Sequence, residues 1–266
     1  MRILDSQIHI FADNSDEYVR AVGQVALSAD QIIAEMDDAG VAGAVLVPAG
    51  GASANTNCLK AAEAWPDRFR VMGRVSPVKP EGRALMADWA GSGYAGLRQT
   101  FAPSRDVSWL ADGTADWLWA AAEEQDIPVM IWAPRQAGML AEIAARHPRL
   151  RLIVDHFNLY VDDKGEVMRA EVADLLRLAR HDNVMVKASS LPAHSDESWP
   201  WPDLHQPVAD VISAFGADRV MWGTDLTRRS STYKQAIDMF TTKLSFLDGA
   251  QLEKIMGGNL ARELKW

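Results

Sequence analysis

The feature that most constrains the fold is the regular recurrence of eight short apolar runs along the chain. Most of these runs are rich in Val, Ile and Leu, and polar residues enter only near their ends. This pattern is typical of strands that are covered on both faces. Helical patterns lie between the runs, so the chain predicts a parallel sheet with right-handed crossovers. The predicted strands are Met1–Ile10, Val41–Ala49, Phe69–Pro77, Tyr94–Phe101, Ile127–Pro134, Leu150–Phe157, Val184–Leu191 and Val220–Leu226.

The connections between these segments fall into two classes of length, according to whether they lead from helix to strand or from strand to helix. Turns from helix to strand are short, whereas several passages from strand to helix are long, such as 11–28 and 192–206. An eight-stranded barrel places its chemistry on the face that carries the long loops. We therefore predict one α/β domain over residues 1–266, a TIM-type (β/α)8 barrel of parallel strands, with an extra C-terminal helix over Asp248–Trp266. The predicted barrel helices are Ala29–Ala39, Asn57–Ala64, Glu81–Ala90, Ala115–Gln125, Ala137–Arg146, Val167–Arg180, Pro207–Phe215 and Tyr233–Phe246.

A doubly wound open sheet is the alternative fold. It would place a glycine-rich phosphate-binding turn after the first strand. The residues that follow Ile10 are Phe-Ala-Asp-Asn-Ser-Asp, which are not such a turn, and Gly50-Gly51 after the second strand is a weak substitute. The sequence therefore favours the closed barrel.

Charge and composition argue against several classes of function. The net charge of −9 argues against a nucleic-acid binder, which usually has a basic face. No apolar run approaches the roughly 18 residues needed to cross a membrane, and no charged leader precedes an apolar stretch. The single Cys58 excludes an internal disulfide and fits a reducing compartment. We expect a cytoplasmic protein that acts on a small molecule. A homo-oligomer is possible, because barrel helices can carry apolar patches, and the sequence does not decide the oligomeric state.

Polar side chains interrupt the first, sixth and eighth predicted strands. Asp5, Gln7 and His9 are expected to share one face of the first strand, because side chains alternate along a strand. His156 ends the sixth strand and Asp225 ends the eighth. A closed barrel places its first strand beside its last and gathers strand-end groups into one pocket. The sequence therefore predicts that His9 and Asp225 frame a shared cavity.

Gln7 and four more side chains are candidates for substrate binding. Arg98, near the end of the fourth strand, offers bidentate geometry for a carboxylate, with pairing to a buried acid as the alternative. Lys187 in the seventh strand and Arg74 at the end of the third could assist it. Trp132 could form the wall of a pocket for a ring. Asp155, which precedes the sixth-strand histidine, is expected to face the other way as a structural hydrogen-bond partner.

The loops on the same face are predicted to add a recognition surface. The loop 11–28 follows the first strand, and the loop after the seventh carries Trp199 and Trp201, which could wall an apolar pocket. Arg228-Arg229 directly follow the eighth-strand aspartate and could attract an anion.

Several of these segments resemble one known family. Asp-Ser-Gln-Ile-His-Ile (5–10) is similar to the Asp-x-His-x-His opening of the amidohydrolase superfamily. Val-Asp-His-Phe (154–157), Trp-Gly-Thr-Asp (222–225) and Gly-Gly-Asn-Leu-Ala-Arg (257–262) resemble its amidohydrolase-related branch. That branch includes sugar lactonases, dicarboxylate lactonases and aromatic-acid decarboxylases. The resemblance implies a distorted eight-stranded barrel with hydrolysis or decarboxylation at its mouth.

The departures from the family pattern concern metal binding. Metal-dependent members resemble one another in two first-strand histidines, one or two later histidines and the eighth-strand aspartate. Here Gln7 replaces the first histidine, and the fifth strand offers Trp132 where many members have a ligand. An amide oxygen is a poorer zinc ligand than imidazole. His9, His156 and Asp225 could still hold zinc or another divalent metal. We predict a site without metal or another cofactor.

These observations lead to a predicted function. We expect hydrolysis of a small carboxylate-bearing lactone or related ester, with Asp225 as the general base for a water. His9 and His156 would polarise the carbonyl group, and Arg98, with Lys187 or Arg74, would hold the carboxylate. One alternative is a metal-dependent decarboxylase of an aromatic acid. Another is a barrel that binds a small acid without catalysis.

Overall fold

The computed structural model describes residues 1–11, 26–49, 54–102, 108–226 and 231–266. Within these residues, eight parallel strands form one sheet in sequential order. The backbone N–H of Asp225 donates to the carbonyl of Gln7 at 2.9 Å and joins the last strand end to the first. The predicted TIM-type barrel is confirmed. The strands are β1 Ile3–Ile8, β2 Val41–Leu46, β3 Phe69–Gly73, β4 Gly96–Thr100, β5 Val129–Trp132, β6 Leu152–Val154, β7 Val184–Ala188 and β8 Val220–Trp222.

Helices follow the strands and form the outer layer. They are α1 Ala29–Ala39, α2 Ala54–Ala64, α3 Pro80–Ala87, α4 Ser108–Ala111, α5 Asp116–Glu124, α6 Ala137–Arg146, α7 Gly165–Leu176, α8 Pro202–Phe215, α9 Tyr233–Asp238, α10 Gly249–Glu253 and α11 Asn259–Leu264. Short 3-10 turns cover Trp89–Gly91, Asp155–Asn158, Arg177–Arg180, Leu191–His194 and Ala217–Arg219, and π-helical turns cover Met239–Lys243 and Lys254–Gly258. In the described part of the chain, no helix is long and apolar enough to cross a membrane.

The alternation of side chains along each strand divides the core into two layers. In β5, Val129 and Ile131 pack with the helices, whereas Met130 belongs to a separate cluster inside the barrel. This arrangement explains why the strands are apolar at nearly every position, since both faces are buried. The barrel interior is rich in methionine, whose flexible side chain fills irregular space. Its buried members include Leu4, Val45, Met72, Met130, Ile153, Met185 and Met221.

Local capping signals set the bounds of α1. The Ser28 side chain accepts a hydrogen bond from the backbone N–H of Gln31, and the Gln31 side chain accepts one from the backbone N–H of Ser28. Gly40 ends the helix at φ 74°, a conformation that costs glycine least. These signals are local, and the predicted bounds of α1 are confirmed.

Several helices begin or end a few residues from their predicted bounds, and two of these differences have a clear physical reason. Helix α8 begins at Pro202 rather than at the predicted Pro207, because proline is tolerated in the first turn and Pro207 lies within the helix. The single helix predicted over Asp248–Trp266 is divided into α10, a π-helical turn and α11. The division lies at Gly257, where an added Cβ would stand 2.3 Å from the carbonyl oxygen of Arg2. The close approach of the first strand therefore shapes this segment.

Candidate active site

The first and last strands bring one imidazole and one carboxylate together. His9 Nε2 lies 2.9 Å from Asp225 Oδ1, and both side chains are largely buried. His9 Nδ1 lies 2.7 Å from the carbonyl oxygen of Val47, which can only accept, so Nδ1 carries a proton. The opposite ring nitrogen, Nε2, faces the Asp225 carboxylate. The predicted pairing of these two residues is present, and it places an imidazole and a carboxylate side by side at the barrel mouth.

The expectation that Asp5 shares a face with Gln7 and His9 is wrong. Between Asp5 and Ile8, β1 contains one residue more than the paired segment of β2, and this irregularity changes the direction of the side chains. Asp5 instead accepts hydrogen bonds from the backbone N–H of Thr224 at 2.9 Å and from the Tyr233 hydroxyl at 2.8 Å. Burial raises the pKa of Asp5, and these donated hydrogen bonds oppose that effect. Asp5 therefore joins the strand ends to α9 as a structural group.

The backbone adopts left-handed conformations at two of the predicted catalytic residues. His156 has φ 54° and Asp225 has φ 57°. Non-glycine residues in this region are uncommon and concentrate at functional sites. The left-handed turn continues through Phe157 and Asn158, so simple alternation fails after β6. Asp155 and His156 consequently both reach the polar network inside the barrel, and the predicted opposite orientation of Asp155 is wrong.

Gln7 and His156 form a second pair next to the first. The Gln7 amide Nε2 lies 3.0 Å from His156 Nε2, and His156 Nδ1 lies 2.8 Å from the Ser189 hydroxyl. The amide nitrogen donates, so His156 accepts at Nε2 and carries its proton at Nδ1. Burial lowers the pKa of His156 to about 3, an effect that the nearby Asp225 carboxylate only partly offsets. His156 is therefore a neutral imidazole whose two ring nitrogens are both engaged.

A buried cluster of charges lies beneath this pair. Lys187 Nζ is 2.9 Å from Asp155 Oδ1, and Arg98 Nε is 2.6 Å from Asp155 Oδ2. Lys187 also donates to Gln7 Oε1 and lies 3.5 Å from the Met130 sulfur. Burial opposes ionisation of Asp155, but the two cations outweigh it and lower its pKa. This cluster fixes the Gln7 amide, because only the oxygen of the amide can face an ammonium group.

The three cations that were candidates for holding a carboxylate occupy different environments. Lys187 is completely buried and Arg98 is 5% exposed, and both are bound to Asp155. Arg74 is half-buried and helps to line a cavity of about 380 Å³ at the carboxyl ends of β3 and β4. Lys79 and Trp109 line the same cavity. Of the three cations, only Arg74 lines this cavity.

Aromatic side chains border the network on one side. Trp132 stacks on Tyr160 with 5.9 Å between ring centroids, and its edge meets His156 at 6.2 Å. The expectation of a pocket wall is wrong for Trp201, whereas for Trp199 it stays a prediction. Trp201 is buried in the core, and Trp199 lies under the Lys243 ammonium at 4.8 Å. The turn that ends at Trp201 directs it inward, where burial of a large aromatic side chain is favourable.

The observed donors do not fit a divalent metal ion. His9 Nε2 is in direct contact with Asp225, and His156 Nε2 accepts from Gln7. The ammonium of Lys187 is bonded to the same Gln7 and would repel a cation. Among the residues that the structure describes, no three His, Cys, Asp or Glu side chains converge as a metal site. Metal independence itself stays a prediction.

Sequence reasoning missed one participant in this site, Ser189, which contacts His156. It predicted Asp155 as a structural partner but not that Asp155 binds both buried cations. Ser189 follows β7 by one residue, and its position after a strand that contains Lys187 was the available signal. Two predicted recognition elements, most of the loop 11–28 and Arg228-Arg229, lie outside the described residues.

Comparison with known sequences finds a family and a relative. A family model described as amidohydrolase matches residues 5–265. A curated L-fucono-1,5-lactonase from Burkholderia ambifaria is 32% identical over 136 residues. That match covers 50% of this chain and 46% of the lactonase, so it spans less than half of that relative's length.

Comparison with solved structures finds the same barrel. An amidohydrolase from Burkholderia multivorans with bound zinc has a TM-score of 0.86 at 20% identity, covering 100% of this chain and 99% of that one. A probable 2-pyrone-4,6-dicarboxylic acid hydrolase from Acinetobacter baumannii with citric acid bound has a TM-score of 0.76 at 18% identity, covering 100% of both chains. At these identities the likeness shows the fold.

Proposed function

The chain belongs to the amidohydrolase family, whose model matches residues 5–265, and on that premise we propose that it hydrolyses a small lactone that bears a carboxylate. The observation that carries the proposal is the 2.9 Å contact between His9 Nε2 and Asp225 Oδ1 at the barrel mouth. The partial match to a lactonase supports a lactone as the substrate. The structural neighbour that is a probable hydrolase of a pyrone dicarboxylate supports a cyclic ester with an acidic group, since a 2-pyrone is an unsaturated lactone.

The proposed reaction begins with Asp225 as the general base. Asp225 removes a proton from a water while the water oxygen bonds to the lactone carbonyl carbon. The carbonyl electron pair moves to oxygen, where the amide hydrogen of Gln7 that does not bond to His156 stabilises the negative charge, while His9 orients Asp225. When this intermediate collapses, the ring carbon–oxygen bond breaks and the ring oxygen takes the proton from Asp225. The product is an open hydroxy acid, so atoms and protons balance.

The protein environment prepares each group for this role. Val47 holds the His9 ring through Nδ1, so Nε2 stays directed at Asp225. His156 acts together with Gln7 rather than by itself, since its two ring nitrogens are bonded to Gln7 and Ser189. Groups that are already oriented stabilise developing charge without reorganisation during the reaction.

We assign the substrate carboxylate to Arg74. This guanidinium lines a cavity of about 380 Å³, a size that suits a small ligand. Arg98, which the sequence favoured, already binds Asp155 at 2.6 Å, and its withdrawal would leave a buried carboxylate short of a partner. A guanidinium binds a carboxylate through two parallel hydrogen bonds, which fixes the orientation of the ring. Trp132, beside His156, is proposed to contact that ring.

The test is turnover of a panel of lactones by the wild-type chain and by Asp225→Asn. The panel pairs carboxylate-bearing lactones and pyrones with neutral sugar lactones, and acid release is followed with a pH indicator. Removal of the base should lower kcat by roughly a hundredfold to ten-thousandfold, while binding measured by calorimetry persists. Asp218→Asn is the matched control, because Asp218 is an exposed aspartate that pairs with Lys254.

The outcomes separate the proposal from its alternatives. An Asp225→Asn variant with full activity would exclude Asp225 as the base. Release of carbon dioxide from aromatic acids, lost on chelation, would support the metal-dependent decarboxylase. Binding of small acids without turnover of any lactone would support the non-catalytic barrel, and activity on neutral lactones alone would exclude the carboxylate assignment.

A further inference from the structure

Lys187 is a buried charge that the proposed reaction does not use directly. Its side chain is completely buried, and its ammonium faces three acceptors: Asp155, Gln7 and the Met130 sulfur. An ammonium group has three N–H donors, so every donor has an acceptor. Burying a lysine without such partners is unfavourable, because the ammonium group loses its hydration. Here the three contacts offset that loss.

The cluster around Lys187 carries a surplus of positive charge. Lys187 and Arg98 contribute two positive charges, and Asp155 contributes one negative charge. All three side chains are at most 5% exposed, so solvent screens them poorly. The surplus charge lies directly beneath Gln7, which contacts His156. A divalent cation brought to the histidines would meet this charge at short range.

We propose that Lys187 is a positioning residue that takes the place of a metal ion, holding the Gln7 amide toward His156 and excluding divalent cations from the site. This inference deepens the proposed metal-free hydrolysis and rests on it. The ammonium supplies a fixed positive charge under the pair that faces the carbonyl oxygen. Gln7 links the ammonium to His156, because its amide oxygen accepts from Lys187 and its amide nitrogen donates to His156.

The experiment measures Co²⁺ binding and requires no substrate. Co²⁺ is titrated into the wild-type chain, into Gln7→His and into the double variant Gln7→His with Lys187→Gln, and the visible absorption of bound Co²⁺ is recorded. Gln7→His adds a nitrogen donor beside His9, His156 and Asp225. The proposal predicts that this variant binds Co²⁺ weakly. Removal of the ammonium should then tighten Co²⁺ binding by about tenfold or more, since the repulsion between close buried charges is lost.

Matched variants separate charge from shape and guard against misfolding. Gln7→His with Lys187→Arg keeps the positive charge and should bind Co²⁺ as weakly as Gln7→His. Lys187→Met is a second neutral variant, and both neutral variants leave the Arg98–Asp155 ion pair balanced at 2.6 Å. Circular dichroism checks the fold of each protein before titration.

Two results would overturn the proposal. One is tight Co²⁺ binding by Gln7→His with Lys187 still in place, which needs no Lys187 variant to fold. The other is equal Co²⁺ affinity of Gln7→His and the double variant. Because these readouts do not depend on turnover, a failure of lactone hydrolysis would leave them interpretable.

Discussion

At the scale of residues, the site consists of polar groups that satisfy one another in pairs. His9 contacts Asp225, Gln7 contacts His156, and Lys187 contacts Asp155. Burial of a polar group is unfavourable unless the group is hydrogen-bonded or ion-paired. Each member of a pair therefore allows its partner to remain buried. Single substitutions should therefore have effects that exceed the loss of one contact.

Acid should weaken the fold through His156. Its pKa is lowered by burial to about 3, so between the ordinary value of 6.5 and that value the unfolded chain binds a proton that the folded chain does not. The free energy of unfolding should fall by about 1.4 kcal/mol for each pH unit in this window. By pH 4.5 the loss should reach about 3 kcal/mol. Urea unfolding from pH 7 to 4.5 measures this loss.

The variant His156→Asn supplies the comparison, because it lacks the titrating ring. Its unfolding free energy should depend less steeply on pH than that of the wild type. Parallel curves for the two proteins would show that His156 is not the group that couples folding to pH.

Sequence reasoning identified many of these residues but not all of their partners. His9, Gln7, His156 and Asp225 could be recognised because a polar residue at the end of an apolar strand is a local signal. The position of Asp5 could not, because the extra residue in β1 is defined only by its pairing with β2. Side-chain alternation holds only where the ladder is regular.

At the scale of elements, the bounds of α1 followed its local capping signals, and both its ends coincide with the prediction. Both ends of α6, Ala137–Arg146, also coincide with the prediction, although its N-terminus has no side-chain cap. The C-terminal segment did not follow its prediction, because its shape depends on the contact of Gly257 with the first strand. A helix that meets another part of the chain this closely cannot be bounded from its own periodicity.

Gly257→Ala should destabilise the protein while Gly249→Ala should not. A Cβ on Gly257 would lie 2.3 Å from the Arg2 carbonyl oxygen, whereas a Cβ on Gly249 would meet no atom within 4 Å. Such overpacking typically costs about 1–3 kcal/mol. Thermal unfolding of the two variants measures the difference. Equal melting temperatures would mean that the first strand can move away without cost.

At the scale of the whole molecule, the two ends of the barrel differ: α11 covers one end, here called the closed end, and the polar network lies at the other, here called the chemical end. Leu260 and Leu264 of α11 pack with Leu4 and Met221 inside the barrel. Asn259 donates to the carbonyl of Val220, at the beginning of β8. The polar network lies at the other ends of the same strands. The apolar packing of α11 and the proposed chemistry therefore lie at opposite ends of one sheet.

Leu260→Ala should separate these two properties. Leu260 is 1% exposed, and removal of a buried leucine side chain typically costs about 2–5 kcal/mol. The urea midpoint should fall, while kcat on the best lactone at low temperature should stay near the wild-type value. A loss of kcat in a fully folded variant would show that the closed end also controls the geometry of the chemical end.

The sequence by itself determined the eight alternating units, the family resemblance and most of the polar residues at the strand ends. These features follow from periodicity and burial, which depend on neighbouring positions. The tertiary structure alone decided that Asp155 holds Lys187 and Arg98, that Ser189 bonds to His156, and that Arg74 lines a cavity. The physical reason is that hydrogen-bond and ion-pair partners are chosen by proximity in space. Lys187 and Gln7 are 180 positions apart, and no local pattern records such a contact.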